Sequence, residues 1–452
     1  MDVRTFPVLT DEDHPLVARL SVGVGENTAR VLAYLLCRRA DPDLADPATR
    51  TAIHIGAGVS KNAAADALDD LVAADLIDET TAETAAPGRP PKAWYAAESE
   101  SKTIRRTYVR HANRLIEQGR HTVTALESVS SESGDPCEAD SGAAPNPVDE
   151  WGDANGSDST ATGVRSAPER ASIALNWQSN PLHLPLFAAG DGSASDVSFT
   201  FDEYDGSREA ASAVASASCD VGVAGAATIL RERTRGQPIV PIAVYFQRSM
   251  VVLYTTQAAF GGPFERTDQL EGRRIGISSG TETGLLGRLF LEQAGVRDAV
   301  ELVDIDGEEQ AALRSGSVDA VTGMVPDPDR LETAERTVDA VTVSDAYPAY
   351  GPALIATERT LRHRKPLLES VLVAAMAGWA DAVYATETAA KAFASEIDQP
   401  SEHIARTFDR ATDRFGSNDA VRRSGWGWHS PDEWRNLKDA LAQGGILKTG
   451  GT

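Results

Sequence analysis

The sequence predicts a multidomain chain in which a small α+β head, a linker and a larger α/β domain follow one another. Three observations predict this order. Residues 47–78 have the apolar spacing of two short helices separated by a glycine-containing turn. Residues 129–169 are rich in Ser, Gly, Asp and Pro and nearly free of large apolar side chains. From residue 170 onward, short apolar β-like runs alternate with helical stretches, as in α/β folds.

The composition describes a folded protein with an acidic surface. The chain has 452 residues, a formal net charge of -24 at pH 7 and 42% hydrophobic residues. That apolar content excludes an acidic disordered protein. Acidity of this kind is typical of halophilic, salt-adapted proteins, which is a simpler interpretation than a specific cationic partner. Net charge therefore excludes few function classes.

Cysteine spacing and hydropathy exclude several other classes. Cys37, Cys137 and Cys219 lie far apart and share no Cys-x-x-Cys spacing, so the sequence supports neither a zinc site nor a disulfide framework. The first residues show no basic segment followed by an apolar one, and no run of about 18 apolar residues occurs. We therefore expect a cytoplasmic protein with no membrane segment, metal or cofactor.

The head has the element order of a winged helix-turn-helix. Two helices are expected on either side of residues 23–25, followed by a helix entered through Pro47 and a second helix capped by Ser60. Residues 87–92 then form a proline-rich turn before a β-like stretch at 93–96, and this turn resembles the wing of winged-helix regulators. Residues 1–98 are thus predicted to bind DNA.

The start of the second helix and the wing supply the candidate DNA contacts. In helix-turn-helix proteins the first residues of the second helix reach base edges, which here are Ser60, Lys61 and Asn62. Asn62 suits adenine, and Lys61 suits guanine or phosphate. Arg89 and Lys92 flank two prolines and would present cations to the duplex. The alternative is a polar helix start in a protein-binding module. The predicted partner is double-stranded DNA with a palindromic operator.

Residues 99–128 show helical periodicity, with arginines around an apolar stripe. Because a long helix after a winged helix often pairs two protomers, we expect a homodimer. The segment 129–169 is expected to be a disordered acidic linker, and the domain boundary is placed there.

The remaining residues, 170–452, predict two lobes joined by two crossovers. The middle part, about 257–345, has its own strands and helices and forms lobe two. The flanking parts, about 170–256 and 346–452, form lobe one.

Several segments of this domain match a known family in order. They are an opening with a Trp-x-x-Asn-x-x-His pattern, an Asp-x-Gly stretch, an Arg-Gly-x-Pro turn, a Leu-x-Gly segment and a Gly-x-x-Asp-Ala stretch, at residues 173–189, 220–223, 235–238, 270–284 and 315–324. Together they resemble the NMT1/THI5 family of pyrimidine-precursor synthases and related solute-binding proteins. The resemblance covers most of residues 171–395 and implies a periplasmic-binding-protein-like fold with a small-molecule cleft.

Aromatic and polar side chains give the candidate ligand-binding residues. Trp177 and Tyr245 offer ring faces, Asn180 and His183 offer hydrogen bonds to ring nitrogens, and residues 278–281 at a predicted helix start suit an anion. The full set is Trp177, Asn180, His183, Gly225, Tyr245, Gln247, Arg248, Ser278, Ser279, Gly280, Thr281 and Tyr347. The alternatives are core packing for Trp177, a satisfied buried imidazole for His183, a capped turn at 278–281, a carboxylate partner for Arg248 and hinge packing for Tyr347.

The resemblance also argues against catalysis. The synthases carry a pyridoxal-phosphate lysine and a substrate histidine where this chain has Ala224 and Thr228. The family's cysteine-rich segment is also missing. We therefore expect a one-component regulator that senses a thiamine-pathway pyrimidine, hydroxymethylpyrimidine or its phosphate, and controls thiamine biosynthesis or transport genes. The alternatives are a pyrimidine-precursor enzyme and a regulator that senses another small anion such as a sulfonate.

Overall fold

The computed structural model describes residues 8–41, 47–82, 90–127, 169–189, 197–332 and 337–447. The predicted linker lies outside the described residues, apart from Glu169, where the first strand of the large domain begins.

The head begins with two helices that meet at a glycine. Helix α1 (His14–Val24) ends and α2 (Glu26–Ala40) begins at Gly25, so the predicted break is confirmed. Gly25 has φ 79°, a backbone conformation that favours glycine. A Cβ at this position would lie 2.2 Å from the carbonyl oxygen of Arg423, so the close approach of the C-terminal part of the chain also requires glycine.

Two short helices and a three-stranded antiparallel sheet complete the head. They are β1 (Ala48–Thr49), α3 (Arg50–Gly56), α4 (Lys61–Ala73), β2 (Ile77–Thr81) and β3 (Lys92–Ala96), with strand order β1-β3-β2. Contrary to expectation, Pro47 does not open a helix. It precedes β1, which pairs with β3, and Thr49 caps α3 by accepting a hydrogen bond from Ala52 N at 3.4 Å. Ser60 caps α4 as predicted.

Helix α5 (Glu100–Glu127) belongs to two cores at once. Near its start, Ile104 packs against the core of the head. Further along, Leu115 and Ile116 are buried in the same cluster as the strands of the large domain. The Oη of Tyr108 donates to the carbonyl of Arg19 in α1 at 2.8 Å. The buried face of the helix is thus covered by its own chain, and pairing of protomers through it stays a prediction that would have to use the exposed face.

The first lobe is built on a mixed five-stranded sheet of order β5-β4-β6-β13-β7. Its first part contains β4 (Glu169–Leu175), α6 (Leu184–Ala188), β5 (Val197–Glu203), α7 (Ser207–Ala215), β6 (Val221–Ala224), α8 (Ala226–Thr234) and β7 (Ile239–Val244). Strand β4 pairs in parallel with β5 and β6.

The second lobe repeats this plan with a sheet of order β10-β9-β11-β8-β12. It contains β8 (Val251–Thr256), α9 (Gln257–Phe260), β9 (Arg274–Ile277), α10 (Glu282–Gln293), β10 (Glu301–Asp304), α11 (Glu309–Ser315), β11 (Ala320–Met324), α12 (Pro326–Leu331), β12 (Val338–Thr342) and α13 (Val343–Ala346). Because β8 pairs with β11 and β12, the chain enters this lobe before Val251, a few residues earlier than predicted.

The chain then returns to the first lobe. This last part contains β13 (Ala353–Thr357), α14 (Glu358–His363), α15 (Lys365–Tyr384), α16 (Thr386–Ile397), α17 (Ser401–Phe415), α18 (Asp419–Ser424) and α19 (Pro431–Gln443). Strand β13 pairs antiparallel with both β6 and β7 and so closes the first sheet.

Helix α15 is long and apolar enough to cross a membrane by length and composition alone, although no such segment was predicted from the sequence. About two thirds of its most apolar stretch is buried inside the fold. Its neighbours include α1, α5 and α6. The helix therefore packs as a core helix of the first lobe.

Residues 425–429 connect the head, α5 and the first sheet. The backbone N–H of Trp426 donates to the carbonyl of Val22 in α1 at 2.9 Å, and Val244 N in β7 donates to the carbonyl of Gly427 at 2.9 Å. The Nε2 of His111 in α5 donates to the carbonyl of Trp426 at 2.7 Å. The head and the first lobe are therefore joined by buried hydrogen bonds as well as by a shared core.

We expect His111 to make this junction sensitive to acid. Burial lowers the pKa of His111 to about 4 from an ordinary value of 6.5, so the neutral imidazole stabilises the fold above pH 6.5 and that contribution is lost as pH falls towards 4. This difference between the pKa values of the folded and unfolded states corresponds to about 3 kcal/mol of stability. We expect the free energy of unfolding of the wild type to fall between pH 6.5 and pH 4. This fall should exceed that of His111→Gln by about 3 kcal/mol, as measured by urea titration at each pH.

The control for this comparison is His121→Gln on the same helix, whose side chain is 62% exposed. It should follow the wild-type pH profile. Parallel profiles for the wild type and His111→Gln would contradict a neutral buried imidazole at this junction.

Candidate functional site

Each of the two sheets contains a set of strands that pair in parallel. The turns that follow β4, β6 and β9 lie at the carboxyl ends of these parallel strands. Ligands in open α/β sheets bind outside the carboxyl ends of strands. The two lobes also contact each other through α8 and α10, the helices that start directly after two of these turns. Most of the predicted ligand-binding residues lie in these turns.

Trp177 and Asn180 follow β4 but differ in what they do. The side chain of Trp177 is 55% exposed, so its indole face is open to a ligand. The Oδ1 of Asn180 accepts from Leu182 N at 3.0 Å and caps the short 3-10 helix Pro181–His183, and its Nδ2 donates to the carbonyl of Gln178 at 2.8 Å. Trp177 is therefore available for binding, whereas Asn180 shapes the turn.

His183 is a buried, neutral side chain. Its Nε2 donates to Oδ1 of Asn176 at 3.2 Å, and its Nδ1 accepts from Nδ2 of Asn180 at 3.3 Å. Burial lowers the pKa of His183 to about 4. These bonds match the alternative of a satisfied buried histidine, and a direct ligand contact by His183 stays a prediction.

Glu282, at the start of α10, fills the N-terminus of α8 in the opposite lobe. Its carboxylate accepts from Ala227 N at 3.0 Å, Thr228 N at 2.7 Å and Thr228 Oγ1 at 2.7 Å. A Cβ on Gly225 would lie 2.2 Å from Cδ of Glu282, so glycine is needed for this approach. Gly225 N itself donates to Oγ of Ser207 at 3.0 Å. The predicted residue Gly225 thus lies where the lobes meet.

The position occupied by Glu282 is one where proteins often bind anions, because a helix N-terminus offers free N–H groups and a favourable dipole. Burial raises the pKa of Glu282, while the hydrogen bonds from Thr228 and Ala227 oppose this. Glu282 was not among the residues predicted from the sequence. The one available signal was an acidic residue directly after a Thr helix cap, which does not reveal a partner in the other lobe.

The turn after β9 holds the four predicted residues 278–281, and several of its donors are already engaged. Ser278 Oγ donates to Oε1 of Glu309 at 2.7 Å and accepts from Gly307 N at 2.8 Å. Ser279 N donates to Oδ1 of Asp304 at 3.3 Å. Thr281 caps α10. Since an anion here would face two carboxylates, the arrangement matches the alternative of a capped turn.

Gly280 has a separate role at the lobe contact. It has φ 83°, and its carbonyl accepts a hydrogen bond from Nη1 of Arg231 in α8. This bond and the Glu282 contact both link α8 to the start of α10.

The other predicted residues belong to the crossovers. Tyr245 is buried and packs edge-on against Trp379. The Nε2 of Gln247 donates to the carbonyls of Val244 and Trp428, both at 3.2 Å. No hydrogen bond, ion pair or ring contact joins either side chain to Trp177 in the described ranges.

Arg248 and Tyr347 also hold the crossovers in place. Arg248 forms an ion pair with Asp345 at 2.5 Å, as the carboxylate alternative expected. The Oη of Tyr347 donates to the carbonyl of Asn436 at 3.1 Å. Their predicted role in ligand binding stays a prediction.

The candidate DNA contacts lie in two places. Lys61 and Asn62 are exposed on the first turn of α4, directly after the cap formed by Ser60. Lys92 forms an ion pair with Glu79 at 2.8 Å, which partly neutralises it. Arg89 lies outside the described residues. Within the described part of the chain, no group of three or more His, Cys, Asp or Glu side chains is arranged to hold a metal ion.

Residues 181–389 match the family model described as NMT1/THI5 like. The chain contains an NMT1/THI5-like domain. A search of curated proteins gave no significant match.

Solved structures show the same fold for this NMT1/THI5-like domain. The periplasmic aliphatic sulphonate binding protein SsuA from Escherichia coli superposes with a TM-score of 0.50 at 15% identity, over 62% of this chain and 94% of that one. The alkanesulfonate-binding protein SsuA from Xanthomonas axonopodis pv. citri, bound to MOPS, gives a TM-score of 0.49 at 14% identity over 63% and 96%. The superposition on the Escherichia coli protein shows that the domain has the two-lobed fold of periplasmic binding proteins.

We expect Glu282 to hold the two lobes of the NMT1/THI5-like domain together. In Glu282→Ala, Ala227 N and Thr228 N lose their acceptor, and each buried donor without a partner costs about 1–3 kcal/mol. The variant should unfold at lower urea concentration and scatter X-rays with a larger radius of gyration, because the lobes separate. Glu265→Ala, an exposed change in the same lobe, should behave as the wild type.

The charge of Glu282 should give this contact a pH dependence. Because the pKa is raised above its ordinary value of 4.5, the contribution of this group is full below pH 4.5 and is lost as pH rises through the raised pKa. The stability difference between the wild type and Glu282→Gln should therefore shift against the wild type as pH rises from 4 to 7. A constant difference would show that burial does not perturb this carboxyl.

Proposed function

We propose that the protein is a one-component transcription regulator, in which the head binds double-stranded DNA and the NMT1/THI5-like domain senses a small molecule. The observation that carries this proposal is the packing of α5 into both the head and the first lobe. A ligand-dependent change in the lobes therefore has a direct mechanical route to the head. We further propose that the protein acts in the cytoplasm as a homodimer.

The arrangement of the head supports DNA binding. The order α2, β1, α3, α4, β2, β3 and the antiparallel sheet match what we expect of a winged helix-turn-helix module and so support this proposal. Lys61 and Asn62 occupy the turn of α4 from which such modules read base edges. Further along α4, Asp66, Asp69 and Asp70 are exposed and would repel phosphates. Specific base contacts would therefore contribute more to affinity than counterion release does.

The proposed ligand is hydroxymethylpyrimidine or its phosphate, and the regulated genes those of thiamine biosynthesis or transport. The exposed indole of Trp177 suits stacking with a planar ring. Binding without catalysis is favoured because Ala224 carries no amine. In addition, the hydroxyl of Thr228 is engaged by Glu282.

The head provides the first test. Full-length protein should select a palindromic operator from random DNA, and Lys61→Ala or Asn62→Ala should each weaken operator binding about tenfold in fluorescence anisotropy, as expected for loss of a base contact worth about 1–3 kcal/mol. Lys102→Ala, an exposed lysine on α5, is the matched control and should bind as the wild type. Failure to enrich any sequence would remove the DNA half of the proposal.

The ligand provides the second test. Hydroxymethylpyrimidine or its phosphate, at 100 times its Kd, should stabilise the protein by about 2.7 kcal/mol and change its operator affinity. Trp177→Ala should lose both effects and keep the basal operator affinity. Tyr384→Ala, another exposed aromatic residue, should respond as the wild type.

The same assay separates the alternatives. Thermal stabilisation by an alkanesulfonate alone would favour a sensor of another small anion. Consumption of the pyrimidine, followed by product analysis, would favour an enzyme. Either outcome would replace the proposed ligand.

A further inference from the structure

A polar cavity of about 310 Å³ lies where both lobes meet the C-terminal part of the chain. Four arginines line it: Arg231 from α8 and Arg235 directly after α8 in the first lobe, Arg288 from α10, and Arg297 from the turn after α10. Residues 444–446, which follow α19, form another wall. We call this cavity the arginine pocket. It is separate from the turn that holds Trp177, which does not line it.

The charge of the arginine pocket contrasts with that of the whole chain. The chain has 67 acidic and 43 basic residues, yet the lining of the pocket includes four arginines and a single carboxylate, Glu292. A second carboxylate, Glu232, pairs with both Arg231 and Arg235 at 3.0 Å. The pocket therefore keeps an excess of positive charge, and like charges held together this way are stabilised when an anion binds between them.

The guanidinium of Arg231 has an unused donor. Arg231 is only 6% exposed, its Nε donates to Glu232 at 3.0 Å, and its Nη1 donates to the carbonyl of Gly280. Its Nη2 is buried and has no hydrogen-bond partner among the described residues. A buried donor without an acceptor is unfavourable, and Arg231, which carries this donor, is one of the residues that line the pocket.

The other guanidiniums are also incompletely paired. Arg288 makes no ion pair within the described ranges, and its one hydrogen bond goes from Nη2 to Ser279 Oγ at 3.3 Å. Arg297 approaches Glu292 at 3.9 Å, which is a loose contact. Two arginines of lobe two therefore face the pocket with donors available.

We propose that the arginine pocket binds a small molecule through a phosphate group. Phosphate oxygens match the planar fork of guanidinium, and several arginines on opposite walls can bind one phosphate or pyrophosphate at the same time. A volume of about 310 Å³ is within the range of small-ligand sites. This site lies apart from the cleft beside Trp177 and does not depend on the identity of the ligand bound there.

Binding at the arginine pocket would tie the lobes to each other and to α5. Arg231 and Arg235 belong to lobe one, whereas Arg288 and Arg297 belong to lobe two. The wall at 444–446 follows α19, and Lys438 in α19 donates to the carbonyl of Leu126 at the end of α5 at 2.6 Å. A phosphate held by both lobes therefore favours the arrangement in which they are in contact.

The experiment is isothermal titration of the full-length protein with pyrophosphate and with inorganic phosphate, at ionic strength held constant with KCl. We expect saturable binding of pyrophosphate by the wild type. Arg288→Gln and Arg297→Gln should each raise the Kd at least tenfold, because each removes a charged donor from the pocket. Arg266→Gln, an exposed arginine of the same lobe that is paired with Asp268, is the matched control and should keep the wild-type Kd.

Further variants and readouts identify the site. Arg231→Gln should also abolish binding, and circular dichroism will show whether it folds; if it does not, Arg288→Gln and Arg297→Gln decide the question alone. Absence of saturable binding to the wild type, or equal Kd values for the wild type and both lobe-two variants, would overturn the proposal. So would loss of pyrophosphate binding in Trp177→Ala with retention in Arg288→Gln, because that result places the anion in the cleft.

Discussion

The burial of α5 between two hydrophobic cores is the constraint on which the rest of the structure depends. A helix of 28 residues cannot stay folded in water without covering its apolar stripe, and here that stripe is covered by the head at one end and the first sheet at the other. The hydrogen bonds from His111 to Trp426 and from Trp426 to Val22 close the same junction. These contacts fix the position of the head on the first lobe.

This packing makes the contact between the lobes the adjustable part of the molecule. The first lobe shares its core with α5, whereas the second lobe meets the first mainly through α8 and α10 and the two crossovers. Glu282 places its carboxyl group against the N-terminus of α8, and Arg231 donates a hydrogen bond to the carbonyl of Gly280. These polar contacts add to a hydrophobic cluster that includes residues of both lobes, and each of them can be weakened or replaced by a small molecule.

Strand bounds and helix caps could be predicted from the sequence where they depend on neighbouring residues. Strand β7 is buried along its whole length although it lies at a sheet edge, and the apolar run at 239–244 matches its bounds. Strands β5, β10 and β12 also lie at sheet edges but are only partly buried, so their sequences lack a continuous apolar run and they were missed. Capping by Ser60 and Thr281 was predictable from neighbouring residues. The contact of Glu282 with α8 was not, because it joins residues more than fifty positions apart.

The arginine pocket could not be predicted from the sequence either, because it joins residues that are distant in the chain. The four arginines share no recognisable spacing in the sequence. Arg231 and Arg235 lie in α8 and directly after it, whereas Arg288 and Arg297 lie in α10 and in the turn after it, in the other lobe. Only the closure of α8 against α10 brings them to one cavity. In a chain with a net charge of -24, the field at most surfaces repels anions. At the arginine pocket, four neighbouring guanidiniums make the local field positive, and this local field outweighs the more distant acidic charges, which salt screens. An acidic protein that binds an anion therefore needs such a local cluster of cations, and the four arginines at the lobe junction form one.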